Sequence, residues 1–186
     1  MVIEHKEPLM RETLYRVLNE GGIAIVPGDT IYGFIGKYPQ TESKIRSVKG
    51  REEGKPFLVL VDNETLDALT NQDIPDELRG FWPGPLTLIV TLKDGVGTIA
   101  VRIPNDELQL ELIHRLKCPL YSTSVNRSGK YPLNNIKSII AEFETEVDLV
   151  VDGGDITEDM PSTIIDITKH PYRLIREGAI KPDLPV

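Results

Sequence analysis

Short apolar segments with the length of buried strands recur along this chain, and helical segments separate only some of them. Ile23–Val26 and Leu120–Ser124 begin as apolar runs, and residues 86–92 form another largely apolar one. Further strands are predicted over residues 57–61, 98–103, 147–151, 163–167 and 173–175. Because strands alternate with helices in places and follow one another directly in others, the sequence predicts an α/β or α+β fold with a mixed sheet covered by helices.

Helical periodicity fills the intervals between these strands. The first helix is predicted to begin near Pro8 and to end at Gly21. Asn63 is predicted as the N-cap of another helix. Helices are predicted over residues 42–48, 63–69, 106–116 and 136–143. The 186 residues show no internal repeat and no convincing linker, which predicts a single domain over residues 1–186.

A dense group of cations interrupts an otherwise acidic chain. The formal net charge is −8. Five cations nevertheless fall within twelve residues: Lys44, Arg46, Lys49, Arg51 and Lys55. A local positive region on an acidic protein favours a small phosphorylated ligand over an extended polyanion. Taken alone, the cations equally fit a solvated helix face whose charges are balanced by nearby glutamates.

A second polar signal closes the predicted strand at residues 120–124. Ser122, Thr123, Ser124 and Asn126 would place hydroxyl groups and an amide at the end of that strand. Together with the Lys49–Arg51 segment, they are interpreted as two halves of one anion-binding pocket. Ordinary turn chemistry at a strand end is the alternative for these residues.

Other kinds of site and location fit the sequence less well. The segment from Gly50 to Pro56 is not a Walker loop, because its glycines are one residue too close and Pro56 replaces the hydroxyl residue that binds Mg²⁺. The histidines and the single cysteine lack metal-ligand spacing, so no protein metal site is predicted.

No apolar run approaches the ~20 residues that cross a bilayer, and the first residues lack a secretory apolar region. A cytoplasmic protein without a membrane partner is predicted.

Six motifs, in this order along the chain, resemble those of the YrdC-like threonylcarbamoyl-adenylate synthases. They are PGDTIYG at residues 27–33, KGR at 49–51, VRIP at 101–104, STSVNRSG at 122–129, STIID at 162–166 and IREG at 175–178. The resemblance extends over residues 22–178 and corresponds to the short form of the family, a single YrdC-like domain.

The resemblance implies both a fold and a reaction. The fold would be YrdC/RibB-like, a twisted mixed sheet with helices on both faces and a deep concave pocket. The reaction would convert L-threonine, bicarbonate and ATP, with Mg²⁺, into threonylcarbamoyl-AMP and pyrophosphate. Downstream tRNA threonylcarbamoyl-transfer proteins would then complete the threonylcarbamoyladenosine modification of tRNA.

The resemblance also assigns roles to individual residues. Lys49 and Arg51 would be catalytic because they would hold the triphosphate. The ATP-binding set implied by the family is Lys49, Arg51, Lys55, Thr98, Asn126, Asn134 and Arg176. The threonine-binding set is Thr30, Tyr32, Arg102, Ser124 and Ser162. Considered without the family, Thr30 fits a strand residue, Tyr32 a core aromatic and Arg102 an exposed strand residue equally well.

Two positions depart from the family pattern. Gly28 stands where the family usually has threonine, and Leu60 stands where longer members carry a histidine that contacts threonine. A paralogue that has lost threonine specificity is therefore one alternative. A non-catalytic module that binds double-stranded RNA or tRNA is another, although a net charge of −8 with one basic region weighs against it.

Overall fold

The computed structural model describes residues 1–157 and 160–182, and the chain divides into two compact units. Unit 1 is formed by Met1–Phe57 and Leu120–Asp159, and unit 2 by Leu58–Pro119 and Met160–Val186. The single domain expected over residues 1–186 stays a prediction.

In chain order, the described residues form both strands and helices. They are β1 (Val2–Glu4), α1 (Met10–Asn19), β2 (Ile23–Val26), β3 (Gly33–Lys37), α2 (Glu42–Lys49), β4 (Leu58–Leu60), α3 (Asn63–Leu69), α4 (Asp76–Arg79), β5 (Leu86–Thr91), β6 (Thr98–Arg102), α5 (Glu107–Leu116), β7 (Leu120–Ser124), α6 (Ile136–Phe143), β8 (Leu149–Asp152), β9 (Thr163–Asp166) and β10 (Arg173–Arg176).

Unit 1 contains a mixed sheet with the strand order β1-β8-β2-β3-β7. β8 pairs in parallel with β1 and β2, whereas β3 pairs antiparallel with β2 and β7. Helix α1 buries Met10, Leu14 and Leu18 and contacts β2, β3 and β8. Phe34 on β3 and Phe143 on α6 pack edge to face, with their ring centroids 5.1 Å apart. These apolar contacts anchor β3, which pairs with β7, the strand that ends at Ser124 of the predicted site.

Unit 2 contains a second set of paired strands in the order β4-β6-β5-β9-β10. β4 runs parallel to β6 and β5 runs parallel to β9, while the β5–β6 and β9–β10 pairs are antiparallel. The side chains of Leu86, Leu88 and Val101 are fully buried. The prediction of an α/β fold with mixed strand pairing is therefore confirmed in each unit.

The structure also corrects several local predictions. β1, β3 and α4 were not expected, and β3 was missed because its sequence contains two glycines. Gly36 of β3 is required by close packing, since an added Cβ would meet Thr41 Oγ1 at 2.3 Å. The N-cap of α3 is Asp62 rather than Asn63: its carboxylate accepts a hydrogen bond from Thr65 N at 2.8 Å, and Thr65 Oγ1 accepts one from Asp62 N.

None of the helices within residues 1–157 and 160–182 has the length and apolar character needed to cross a bilayer.

Candidate functional site

Lys49 is the centre of a buried polar cluster in unit 1. It is the last residue of α2, and Gly50 follows in the left-handed conformation at φ +58°, which turns the chain away from the helix. The Lys49 side chain is 1% exposed. Its Nζ donates hydrogen bonds to Ser124 O at 2.5 Å, to Asn126 O at 3.0 Å and to Asn126 Oδ1 at 3.0 Å. The structure therefore brings together the two polar segments that the sequence singled out.

Hydrogen bonds hold both polar atoms of the Asn126 side chain in place in this cluster. Its Nδ2 donates to Arg127 O and to Lys130 O, each at 2.8 Å, so its Oδ1 is the atom that faces Lys49. Ser124 Oγ donates to the same Oδ1 at 2.6 Å. The three N–H groups of a lysine ammonium are thus matched by three oxygen acceptors. Lys49 and Asn126 together set the conformation of the turn at residues 124–130.

Burying the Lys49 ammonium has an energetic cost. Burial first, and the positive charge of Arg51 second, lower the pKa of Lys49 to about 7. The three oxygen acceptors favour the charged form, and Nζ also lies 5.4 Å from the centroid of the Phe34 ring. A charge kept inside a protein against this cost is typical of a functional site.

Arg51 lies in a loop, residues 51–57, that connects α2 to β4. Its Nε donates to Lys55 O at 3.3 Å and its Nη2 donates to Pro56 O at 2.9 Å. The guanidinium carbon lies 5.0 Å from the centroid of the Phe57 ring. Burial and the charge of Arg46 both lower the pKa of Arg51. Lys55 is exposed and forms an ion pair with Glu52 at 2.8 Å.

The other predicted residues of unit 1 have different environments. Tyr32 is fully buried; its hydroxyl donates to Gly154 O at 2.8 Å and accepts from Gly153 N at 2.9 Å. Burial raises the pKa of Tyr32. Thr30 is half-buried in the loop between β2 and β3.

Asn134 has a buried side-chain oxygen, Oδ1, that has no hydrogen-bond partner within the described residues. This oxygen is therefore suited to accept a hydrogen bond from a ligand or a water molecule.

Unit 2 has a cluster of its own that contains three predicted residues. Arg102 is 4% exposed and its Nε donates to Gly84 O at 2.9 Å. Ser162 is 3% exposed and its hydroxyl lies 2.7 Å from Thr87 Oγ1. Arg176 is exposed along β10, but its guanidinium donates to Ser162 O at 2.8 and 3.0 Å and to Ser162 Oγ at 3.1 Å. Desolvation and the positive charge of Arg102 lower the pKa of Arg176.

Thr98, the remaining predicted residue of unit 2, is exposed at the first position of β6. Its predicted contact with ATP stays a prediction.

Sequence reasoning missed several residues that support these clusters. Arg127 forms an ion pair with Glu146 and donates a hydrogen bond to Val48 O. Its guanidinium carbon lies 4.6 Å from the centroid of the Phe143 ring. These contacts connect the turn at residues 124–130 to α2 and α6. Hydrogen bonds from Arg127 lower the pKa of Glu146.

A further network lies beside the 51–57 loop and consists of Arg46, Glu42 and Tyr121. The i,i+4 spacing of Glu42 and Arg46 could have indicated their pairing, but no local pattern connects them with Tyr121.

The protein offers no metal cage of its own in the part of the chain that the structure describes. Across residues 1–157 and 160–182, no group of three or more His, Cys, Asp or Glu side chains is arranged to hold a metal ion.

Comparison with known proteins identifies the family. Residues 16–178 match the model of the Sua5/YciO/YrdC family, which is described as telomere recombination. The chain belongs to this family. The match includes both buried clusters and nearly every secondary-structure element of the two units.

Several members of the family have informative names. A threonylcarbamoyl-AMP synthase of Pyrococcus abyssi is 31% identical over 179 residues, which cover 88% of this chain and 52% of that protein. One of Thiobacillus denitrificans is 32% identical over 169 residues, which cover 83% of this chain and 89% of that protein. The crystal structure of P. abyssi Sua5 complexed with L-threonine matches 96% of this chain and 57% of that chain, with 28% identity and a TM-score of 0.84. The chain thus spans about half the length of the P. abyssi relative.

Proposed function

We propose that this protein synthesises threonylcarbamoyl-AMP from L-threonine, bicarbonate and ATP, with release of pyrophosphate. The observation that carries the proposal is the buried Lys49 ammonium, joined directly to Ser124 and Asn126 and followed two residues later by Arg51. Relatives of similar sequence bear the name threonylcarbamoyl-AMP synthase, and one related structure holds L-threonine.

The cations of unit 1 are suited to an ATP triphosphate in two different ways. Arg51 would bind phosphate oxygens directly, because its present partners are carbonyl oxygens of an exposed loop that phosphate oxygens can replace. Lys49 would supply positive charge from beneath the turn and would hold that turn in shape, because Ser124 and Asn126 already accept all three of its hydrogen bonds. Lys55, whose partner Glu52 is exposed, would add a second exchangeable cation.

The adenosine and threonine parts of the substrates have candidate partners in the same unit. The unpartnered Asn134 Oδ1 would accept a hydrogen bond from the nucleoside. Ser124, Thr30 and Tyr32 would contribute to a threonine pocket, with the Tyr32 ring as a wall because its hydroxyl is held by Gly153 and Gly154.

The cluster of unit 2 supports anion binding on its own. Two guanidinium groups that lie close enough for one to lower the pKa of the other favour a bound carboxylate or phosphate. We propose Arg102 and Ser162 as ligands of the threonine carboxylate and Arg176 as a ligand of the nucleotide, as the family motifs imply. Thr98 is proposed as a further nucleotide contact on the motifs alone.

The proposed reaction asks the protein for positioning more than for covalent chemistry. The amine of threonine would add to carbon dioxide derived from bicarbonate, forming a carbamate and losing a proton. A carbamate oxygen would then attack the α-phosphorus of ATP, and the bond to the β,γ-pyrophosphate would break. The chain's own residues would orient the triphosphate, neutralise its charge and exclude the water that would return the carbamate to the free amine. Mg²⁺ is proposed as an ion that enters with ATP and neutralises charge on the leaving pyrophosphate.

The product would serve separate proteins that transfer the threonylcarbamoyl group to tRNA. We propose a cytoplasmic setting for this reaction, since ATP, bicarbonate and tRNA are available together there. Direct contact of this chain with RNA is not needed for the proposed chemistry.

The deciding experiment measures pyrophosphate release by the purified chain, with the nucleotide product followed by mass spectrometry. Release that requires ATP, threonine and bicarbonate together, with formation of threonylcarbamoyl-AMP, would support the proposal. Adenylate formation that does not depend on threonine would point to a paralogue of different specificity. Tight, salt-sensitive binding of double-stranded RNA or tRNA without pyrophosphate release would instead favour a non-catalytic RNA-binding module.

A further inference from the structure

Arg46, a residue of α2 that no motif assigns to the site, is anchored by a carboxylate on its own helix. Its Nε and Nη2 donate to Glu42 Oε1 at 2.9 and 2.6 Å. The other oxygen of that carboxylate, Oε2, accepts a hydrogen bond from Tyr121 Oη of β7 at 2.9 Å. These hydrogen bonds to Arg46 and Tyr121 lower the pKa of Glu42. The guanidinium of Arg46 is therefore held in one orientation from the helix side.

The remaining donors of Arg46 hold the 51–57 loop. Nη1 donates to Glu52 O at 2.7 Å and Nη2 donates to Lys55 O at 3.0 Å. Arg51 Nε donates to the same Lys55 carbonyl at 3.3 Å. Between these two carbonyls lies Gly54, with φ +81°, so the loop turns sharply there. A single side chain on α2 thus fixes both sides of this turn.

Phe57 connects the two arginines a second time. The guanidinium carbon of Arg46 lies 4.8 Å from the ring centroid of Phe57, and that of Arg51 lies 5.0 Å from it. The charge of Arg46 also contributes to lowering the pKa of Arg51. The position and the electrostatic environment of Arg51 therefore depend on Arg46.

We propose that Arg46 is a positioning residue for ATP: it fixes the 51–57 loop and Phe57 so that Arg51 is oriented toward the triphosphate. The inference rests on the proposed function, in which Arg51 binds phosphate oxygens. Arg46 itself would not touch the nucleotide, because the Glu42 carboxylate, which Tyr121 holds in place, keeps its guanidinium on the helix side, whereas Arg51 has no carboxylate among its hydrogen-bond acceptors given above.

A double-mutant cycle tests this role through the affinity for Mg²⁺·ATP, measured by isothermal titration calorimetry. Arg46→Ala should weaken binding by about tenfold, which corresponds to the loss of one or two hydrogen bonds to the ligand. In an Arg51→Ala background, the same change should have little further effect, because the residue through which Arg46 acts is already absent. Effects that simply add would show a direct contact between Arg46 and the nucleotide and would overturn the proposal.

Matched variants separate the proposal from general damage. Arg115 forms an ion pair of the same i,i+4 spacing with Glu111 on α5, at 3.5 Å, and Arg115→Ala should leave ATP affinity unchanged. Arg46→Lys keeps the charge but not the planar fork, so it should restore less than half of the lost binding energy. Full restoration by lysine would show that charge alone is sufficient and would overturn the positioning role.

The outcomes also separate this proposal from the function on which it rests. If the wild-type chain does not bind ATP, both fail. If the wild-type chain binds ATP and Arg46→Ala binds it equally well, only the role of Arg46 fails. Should Arg46→Ala not fold, Tyr121→Phe tests the same network from its far end, since it removes the hydrogen bond to Glu42 and should weaken ATP binding in the same direction.

Discussion

The two central cations of unit 1 lie two residues apart, yet they are held in opposite ways. Lys49 is enclosed, with all three of its hydrogen bonds accepted by Ser124 and Asn126. Arg51 is partly exposed and donates to carbonyl oxygens of its own loop. A buried donor that already has its partners shapes a site, whereas a donor held by exposed carbonyls can exchange them for a ligand. Two cations of one motif therefore perform different tasks in this site.

Lys49→Met should have the largest effect on turnover. It removes the buried charge and the three hydrogen bonds that Lys49 Nζ donates, so pyrophosphate release should fall by about 1,000-fold, at the upper end of what one preorganised electrostatic contact supplies. Hydrogen exchange of the amides at residues 124–130 should also become faster. Lys93→Met is the matched control, because Lys93 Nζ donates to Asp67 O in an exposed position. Unchanged exchange in that turn would contradict the structural half of this prediction.

Arg51→Ala should reduce turnover by about 100-fold, equivalent to about 3 kcal/mol of transition-state stabilisation. In contrast to Lys49→Met, it should leave hydrogen exchange at residues 124–130 as in the wild type, because Arg51 is bonded to the 51–57 loop. Steady-state kinetics together with exchange measurements on both variants check this contrast. The distinction between the two cations would be lost if both variants loosened the turn equally.

Ser124→Ala should have a smaller effect, near the ~1 kcal/mol typical of one hydrogen bond. Its hydroxyl is one of two donors to Asn126 Oδ1, and Lys49 remains as the other. Turnover should therefore fall about fivefold to tenfold, and the Michaelis constant for threonine should rise if Ser124 contacts that substrate. An effect as large as that of Lys49→Met would mean that the hydroxyl, not the ammonium, organises the turn.

The pH dependence of stability provides the most subtle comparison. The pKa of Lys49 in the folded protein is lowered to about 7 by burial and by Arg51, whereas an unfolded lysine keeps its ordinary pKa of 10.5. Between these values the unfolded state binds the extra proton, so the free energy of unfolding rises with pH: the cost of burying a charged Lys49 is largest below about pH 7 and disappears above the unfolded pKa of 10.5. Relative to Lys49→Met, the wild type should gain up to about 1.4 kcal/mol per pH unit in this window. Urea unfolding from pH 6 to 10 measures the difference, and parallel curves would contradict it.

The sequence predicted the elements whose signals are local. β5, β6 and α5 were predicted over residues 86–92, 98–103 and 106–116, and each was located within one or two residues. β3 was missed because Gly33 and Gly36 are typical of loops, while the reason for Gly36 is the nearby Thr41 side chain. The predicted N-cap of α3 was wrong by one residue, because Asp62 and Asn63 are both favourable N-cap residues. The hydrogen bond between the Asp62 carboxylate and Thr65 N identifies Asp62 as the cap.

The candidate site was predictable as a set of residues but not as a set of contacts. Ordered motifs indicated Lys49 and Asn126 together, although 77 residues separate them. Nothing in the motifs indicated that the Lys49 ammonium would be enclosed, or that Arg46 would hold the loop beside Arg51. Such information depends on hydrogen bonds to backbone carbonyls, which any residue type can offer and which leave no sequence pattern.

Hydrogen–deuterium exchange with and without Mg²⁺·ATP locates the triphosphate on the chain without relying on catalysis. ATP should slow exchange in the 51–57 loop and in the turn at residues 124–130, and Arg51→Ala should abolish the protection of the loop. Binding of ATP that protects neither segment would contradict the assignment of the triphosphate to Lys49 and Arg51.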